Sequence, residues 1–189
     1  MNKIILGIVG YAASGKDMAA LHLWQEHGFI NVSTGNMVRK YVAENNLGEP
    51  TRELLQKVAN ELREKNGAGY FAAKAIQENE NFEKLIVSGI RTVGEAMEIK
   101  KFQGIIIAVD ASQEIRFERA QGRGSARDNK DFESFKAIEA LEAQNEDPNA
   151  QNIKAVIDMS DYKILNEGTV EDLNEQMDEL INEILQRGL

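Results

Sequence analysis

Five short runs of apolar, mostly β-branched residues punctuate the chain, at Ile4 to Val9, Phe29 to Val32, Leu85 to Val87, Ile105 to Val109 and Tyr162 to Leu165. The stretches between them repeat their apolar positions with helical spacing. That alternation predicts an α/β fold in three layers, a parallel sheet of about five strands with helices on both faces. The longest runs do not alternate with polar residues, so they read as strands covered on both sides. An all-helical stretch, about 35–79, separates the second and third runs and breaks at Gly48 to Pro50 and at Gly67 to Gly69. A second insertion, about 122–158, opens with the glycine-rich basic segment G-R-G-S-A-R-D-N-K, which suits a mobile lid. At the end, Leu173, Met177, Leu180, Ile181, Ile184 and Leu185 form one helical stripe that docks on the sheet.

Composition narrows the function classes. A chain of 189 residues with 42% hydrophobic content supports one substantial core, and one domain is expected. Its net charge of −9, from 22 basic and 31 acidic residues, argues against a general binder of nucleic acid or anionic membrane. An anionic substrate must then be held by locally placed arginines. With no cysteine there is neither a disulfide nor a thiolate zinc site, and the two histidines, His22 and His27, look like a poor metal constellation and read as structural. The apolar runs are too short to span a bilayer and the start reads directly into the first strand, so a cytoplasmic location is expected.

Chemistry first appears where the first strand ends. Gly10 to Asp17 reads G-Y-A-A-S-G-K-D, a P-loop with Asp17 where the pattern has Ser or Thr. In such a loop the glycines let backbone N–H groups turn toward an anion, the following helix adds its positive end, and Lys16 reaches the terminal phosphates. Gly10, Ala13, Ser14, Gly15, Lys16, Asp17 and Met18 are therefore the expected nucleotide-binding residues. A carboxylate at position 17 opposes phosphate unless a metal lies between them.

In open α/β sheets ligands bind at the carboxyl ends of the strands, so the residues just after each run are the next to read. They are Ser33 to Arg39, Ser88 to Thr92, Asp110, and Asn166 to Gly168. Arg39 and Arg91 thus project toward the same mouth as Lys16, and two guanidinium forks suit a phosphorylated acceptor.

Here the chain resembles known kinases. Val32 to Arg39, V-S-T-G-N-M-V-R, is similar to the I-S-T-G-D-M-L-R segment of adenylate kinases, and Ser88 to Thr92 resembles their D-G-F-P-R-T segment shortened by one residue. Glu118 to Arg123, E-R-A-Q-G-R, resembles the opening of the adenylate kinase lid. The G-K-D form of the loop, and Arg52 to Gln56 with Glu61 and Arg63 downstream, are closer to deoxynucleoside monophosphate kinases. The ending D-Y-K-I-L-N-E-G-T resembles dephospho-CoA kinases and related archaeal P-loop kinases, where this loop lines the adenine pocket. Together these similarities imply the nucleoside monophosphate kinase superfamily: a P-loop kinase core (1–33, 84–121, 159–189), an acceptor-binding helical insertion (34–80) and a lid region (122–158). They imply ATP and Mg²⁺ as cofactors. They also imply Thr34, Gly35, Arg39 and Arg91 on the acceptor, Arg119, Asn166 and Gly168 on the nucleotide, and Lys16, Arg91, Arg123 and Arg127 as catalytic charges.

The departures carry information too. Adenylate kinases have aspartates where this chain has Asn36 and Ser88, and both help hold the waters around Mg²⁺. With Asp17 gained in the loop, a hydroxyl and a carboxylate look exchanged, which makes Asp17 and Ser88 the expected metal residues. Several positions keep a plainer reading beside the functional one: Asp17 as an acid in a helix's first turn, Thr34 as a helix cap, Arg39 and the lid arginines as surface charge, Asp110 as a cap. Trp24 and Phe29 read as packing, and Glu139 to Asp147 as a solvated helix face. The resulting expectation is a kinase moving the γ-phosphoryl of ATP to a nucleoside or deoxynucleoside monophosphate, as a monomer or homodimer. Two rivals stand beside it, a dephospho-CoA kinase and a nucleotide-binding regulatory module with little kinase activity.

Overall fold

The computed structural model describes residues 3–122, 131–143 and 145–187. All five predicted strands form: β1 (Ile4–Val9), β2 (Ile30–Ser33), β3 (Lys84–Ser88), β4 (Ile105–Asp110) and β5 (Tyr162–Leu165). They make one parallel sheet in the order β2-β3-β1-β4-β5. Helices α1 (Lys16–His27) and α9 (Val170–Gln186) cover one face, while α4 (Tyr70–Glu78), α5 (Val93–Lys101) and α8 (Ile153–Asp158) cover the other.

The two-residue period of a strand explains how continuous apolar runs serve both layers. In β1, Leu6 and Ile8 meet Ala19, Leu23, Leu173 and Met177 of the α1/α9 layer, whereas Ile5 and Val9 point to Ala72, Ile99 and Val156 opposite. In β4, Ile105, Ile107 and Val109 divide from Ile106 and Ala108 in the same way. β2 and β5 are the edge strands and are only partly buried, so coverage on both sides holds for the inner strands alone. Phe29 is buried just ahead of β2, but Trp24 is 52% exposed on α1 and does not serve as the packing residue its type suggests.

The insertion consists of α2 (Thr34–Glu44), α3 (Arg52–Asn66) and α4, around Val38, Val42, Val58 and Phe71. The breaks at Gly48 to Pro50 and at Gly67 to Gly69 separate these helices as expected. Residues 122–158 are not one unit. In α8, Ile153, Val156 and Ile157 are core residues, so the core reaches further than the 122–158 boundary allowed. Ahead of it, α7 (Phe132–Ala143) packs Phe135 against Ala13 of the loop and Ala120 of α6 (Gln113–Gly122). Arg123 and Arg127 lie outside the described residues. No described helix is long and apolar enough to cross a membrane.

Candidate active site

The loop sits where the central strand meets its helix. Ala13 (φ 61°) and Gly15 (φ 99°) are both left-handed, the backbone turn that aims successive N–H groups into one concavity. A side chain does not fit at either end. A Cβ on Gly10 would lie 2.2 Å from the Val109 carbonyl, and one on Gly15 would lie 2.1 Å from Asn166 Nδ2. α1 follows with no side-chain cap, so the N–H groups of its first turn and its positive end are presented to the concavity. Ser14 is fully buried and its hydroxyl has no hydrogen-bond partner among the described residues. An uncapped helix, a cradle closed to side chains, an orphaned hydroxyl and Lys16 together fit the polyphosphate of a nucleotide.

A second group buttresses this cradle from the β5 side. Asn166 donates from its backbone to the Asp110 carbonyl (2.7 Å) and from Nδ2 to the Ser14 carbonyl (2.8 Å). Arg119 of α6 donates to the carbonyls of Asn166 and Gly168, both at 3.0 Å. Ser14, Gly15, Arg119, Asn166 and Gly168, from three segments of sequence, are thereby one structural unit. Tyr11 of the loop lies under the Arg116 guanidinium, 4.8 Å from ring centroid to Cζ. Burial, then the Asp110 carboxylate, raise the Tyr11 pKa, so this phenol stays neutral.

Beyond the loop a cavity of about 370 Å³ opens between β1, α2, α3 and α7. It is lined by Gly10, Ala13 and Lys16 of the loop together with Thr34, Gly35, Arg39 and Arg91. The N-cap of α2 is Ser33, not Thr34. The Thr34 hydroxyl instead donates to the Gly89 carbonyl at 2.6 Å and ties the ends of β2 and β3 together. Arg39 is exposed at the rim and donates to Asn36 Oδ1 (3.0 Å). Arg91 lies deeper and donates to Gln151 Oε1 at 2.5 Å. Burial lowers its pKa, opposed chiefly by the Glu142 carboxylate, yet a guanidinium remains protonated at any physiological pH.

Two further arginines line this cavity that the sequence motifs did not single out for a role. Arg63, 1% exposed, donates from Nε to Glu95 Oε1 at 3.0 Å and lies 5.0 Å from the Phe71 ring centre. Glu95 is fully buried, and its other oxygen accepts from the Arg91 backbone N–H (2.7 Å) while closing the capping box with Thr92. Arg52 donates twice to Glu142 Oε1, at 3.1 and 2.6 Å, linking α3 to α7. Glu142 is 6% exposed, and Glu139 binds Arg116 and Gln113, so the stretch read as a solvated face carries two interior contacts. The capping-box pattern at Thr92 to Glu95 was a readable sign of Glu95; nothing in the sequence pointed to Glu142 or Gln151.

The expected metal residues are not gathered in this cavity. Asp17 occupies the first turn of α1 with its side chain 65% exposed, 3.6 Å from Lys16, and Ser88 is buried at the end of β3 in register with Ser33. Met18 is 38% exposed beside Asp17. Asp110 accepts from the Ala111 N–H at 2.9 Å and lies 3.8 Å from Arg116 Nε; it stands ahead of α6 and does not cap it.

Relatives agree with this architecture. A UPF0200 protein of Methanococcus maripaludis is 32% identical over 190 residues, spanning 94% of this chain and 98% of the relative. This chain belongs to the UPF0200 family. A UPF0200/UPF0201 protein of Archaeoglobus fulgidus is 33% identical over 184 residues; the match takes in 94% of this chain but 54% of that protein, about half its length. A family model described as an AAA domain matches residues 6–145, which take in most of β1, the loop and α1 to α7. Among solved structures, TT1252 from Thermus thermophilus superposes with a TM-score of 0.65 at 19% identity, over 97% of this chain and 98% of that one. The shikimate kinase of Aquifex aeolicus superposes at 0.56 and 15% identity, over 97% and 99%. This UPF0200 protein therefore has the fold of P-loop kinases.

Proposed function

We propose that this UPF0200 protein is a kinase that transfers the γ-phosphoryl group of ATP to a phosphorylated small molecule, a nucleoside or deoxynucleoside monophosphate. One observation carries the reading: the loop residues Gly10, Ala13 and Lys16 and the two arginines Arg39 and Arg91 line the same cavity of about 370 Å³. A volume of that size accommodates a small ligand rather than a macromolecule.

Phosphoryl transfer between phosphates needs alignment and charge neutralisation more than a strong base. The loop amides and Lys16 would hold the donor phosphates, with Arg119, Asn166 and Gly168 around the adenine end. Arg91 would grip the acceptor phosphate from the cavity interior and Arg39 from its rim. Neither Asp17 nor Ser88 lines the cavity, so Mg²⁺ would come with the ATP phosphates, with Asp17 at the end of the loop as the carboxylate able to meet it through water. Arg63 and Arg52, already paired with Glu95 and Glu142, would shape the acceptor pocket rather than supply free charge.

The test is an ADP-release assay with ATP·Mg²⁺ and a panel of nucleoside and deoxynucleoside monophosphates, dephospho-CoA and shikimate. Turnover with one of the monophosphates is the expected result. Measurable ATP binding with no turnover on any panel member would overturn the reading in favour of a nucleotide-binding regulatory module.

A further inference from the structure

The chain has two histidines, and both aim at one oxygen. His22 Nε2 and His27 Nε2 each lie 2.6 Å from Asp178 Oδ1, although Asp178 is on α9, more than 150 residues further along the chain. The imidazole side chains are 13% and 17% exposed and Asp178 is 43% exposed, so the trio opens to solvent on the carboxylate side. Among the described residues no other three His, Asp or Glu side chains bring their ligand atoms together, here within 4.8 Å of one another.

Helix geometry makes this convergence specific. Residues five apart on a helix point about 140° from each other, so His22 and His27 leave α1 on different flanks. They meet only because α9 packs along α1 and presents Asp178 between them. The imidazole rings stand edge-on, with centroids 5.8 Å apart, which leaves both Nε2 atoms directed to the shared point. Neutral imidazole nitrogens and a carboxylate oxygen are the ligand set of a borderline transition-metal ion. Bonds of about 2.0–2.2 Å to such an ion place ligand atoms roughly 3.3 Å apart, so the two His–Asp separations of 2.6 Å would each open by under about 1 Å. His27 closes α1, where the carbonyl end of the helix favours positive charge. By the rise of 1.5 Å per residue, His22 and His27 lie about 9 and about 16 Å along α1 from Lys16, and none of the three residues lines the candidate active site.

We propose that His22, His27 and Asp178 bind a Zn²⁺-type cation that clamps α1 to α9, with three protein ligands and a remaining position for water. Tag-free protein is titrated with Zn²⁺ by calorimetry, with Co²⁺ absorption as a second readout of the ligand environment. The expected results are one equivalent bound, a melting temperature raised by several degrees in Zn²⁺, and a ligand-field spectrum with Co²⁺. In H22Q, H27Q and D178N, affinity should fall at least tenfold and the thermal shift should disappear, while far-UV circular dichroism shows each variant folded. Absence of stoichiometric binding by the parent, or undiminished binding by the folded double variant H22Q/H27Q, overturns the proposal. ATP binding is measured in parallel and should be unchanged in all variants, which separates this site from the phosphate loop.

Discussion

The two sides of the cavity are built from different materials. The phosphate side is backbone and neutral amide: left-handed residues at 13 and 15, an uncapped helix, and Asn166 bridging the Ser14 and Asp110 carbonyls. The part lined by Arg39 and Arg91 is held by ion pairs, with Arg63 on Glu95, both buried, and the partly exposed Arg52 on Glu142, joining segments 32 and 90 residues apart. A backbone cradle binds anions through dipoles that no single side chain supplies. Its substitutions should therefore spare the fold unless they touch a glycine. A pocket framed by desolvated ion pairs couples recognition to stability, because removing one partner leaves the other buried and uncompensated.

The comparison breaks most easily at Glu95. E95A strands the Arg63 guanidinium, opens the α5 capping box and frees the Arg91 amide, so unfolding stability should fall by about 3–5 kcal/mol. Urea denaturation measures it, and a loss under about 1 kcal/mol would mean that the pair does not frame the pocket. On the other side, K16A should leave the urea midpoint nearly unchanged while lowering kcat/KM for ATP about 10²–10³-fold. A large stability loss in that variant would erase the distinction between the two sides.

Between these lies R91A. Loss of a charged hydrogen bond to the acceptor, worth about 1.5–3 kcal/mol, should lower kcat/KM for the acceptor by about 10–100-fold and leave the KM for ATP unaltered. Less than a threefold change would remove Arg91 from the acceptor site. The smallest effect is expected at the α9 capping box behind Gly168, where the Thr169 backbone and hydroxyl hold the Asp172 carboxyl below its ordinary value of 3.8. A group depressed in the folded state contributes stability above its unfolded pKa and loses it as the pH falls through the folded one. D172N should therefore melt slightly lower than the parent at pH 7, and the two should converge as the pH drops below 3.8. A difference that persists at low pH would assign the effect to packing instead of charge.

The legible parts of the molecule are the local ones. β1, the loop and α1 occupy consecutive residues, so the apolar run Ile4 to Val9, the glycines and Lys16 describe the cradle before any packing is known. Thr34 lines the cavity, but its hydroxyl goes to Gly89 because β2 and β3 end side by side in register. Glu142 looked like solvated charge for the same reason: its partner Arg52 lies on a helix 90 residues earlier. His22 and His27, five apart on one helix, carried no sign of Asp178.

From sequence alone came the strand count, the parallel α/β layering, the phosphate loop and the segments at the strand ends, since each depends on periodicity or on neighbours within a few residues. Only the tertiary structure decided which carboxylates neutralise which arginines, where the core ends within 122–158, and that two histidines share one carboxylate oxygen. Those outcomes depend on contacts between segments tens to more than a hundred residues apart, and a local pattern holds no record of which distant partner will be packed against it.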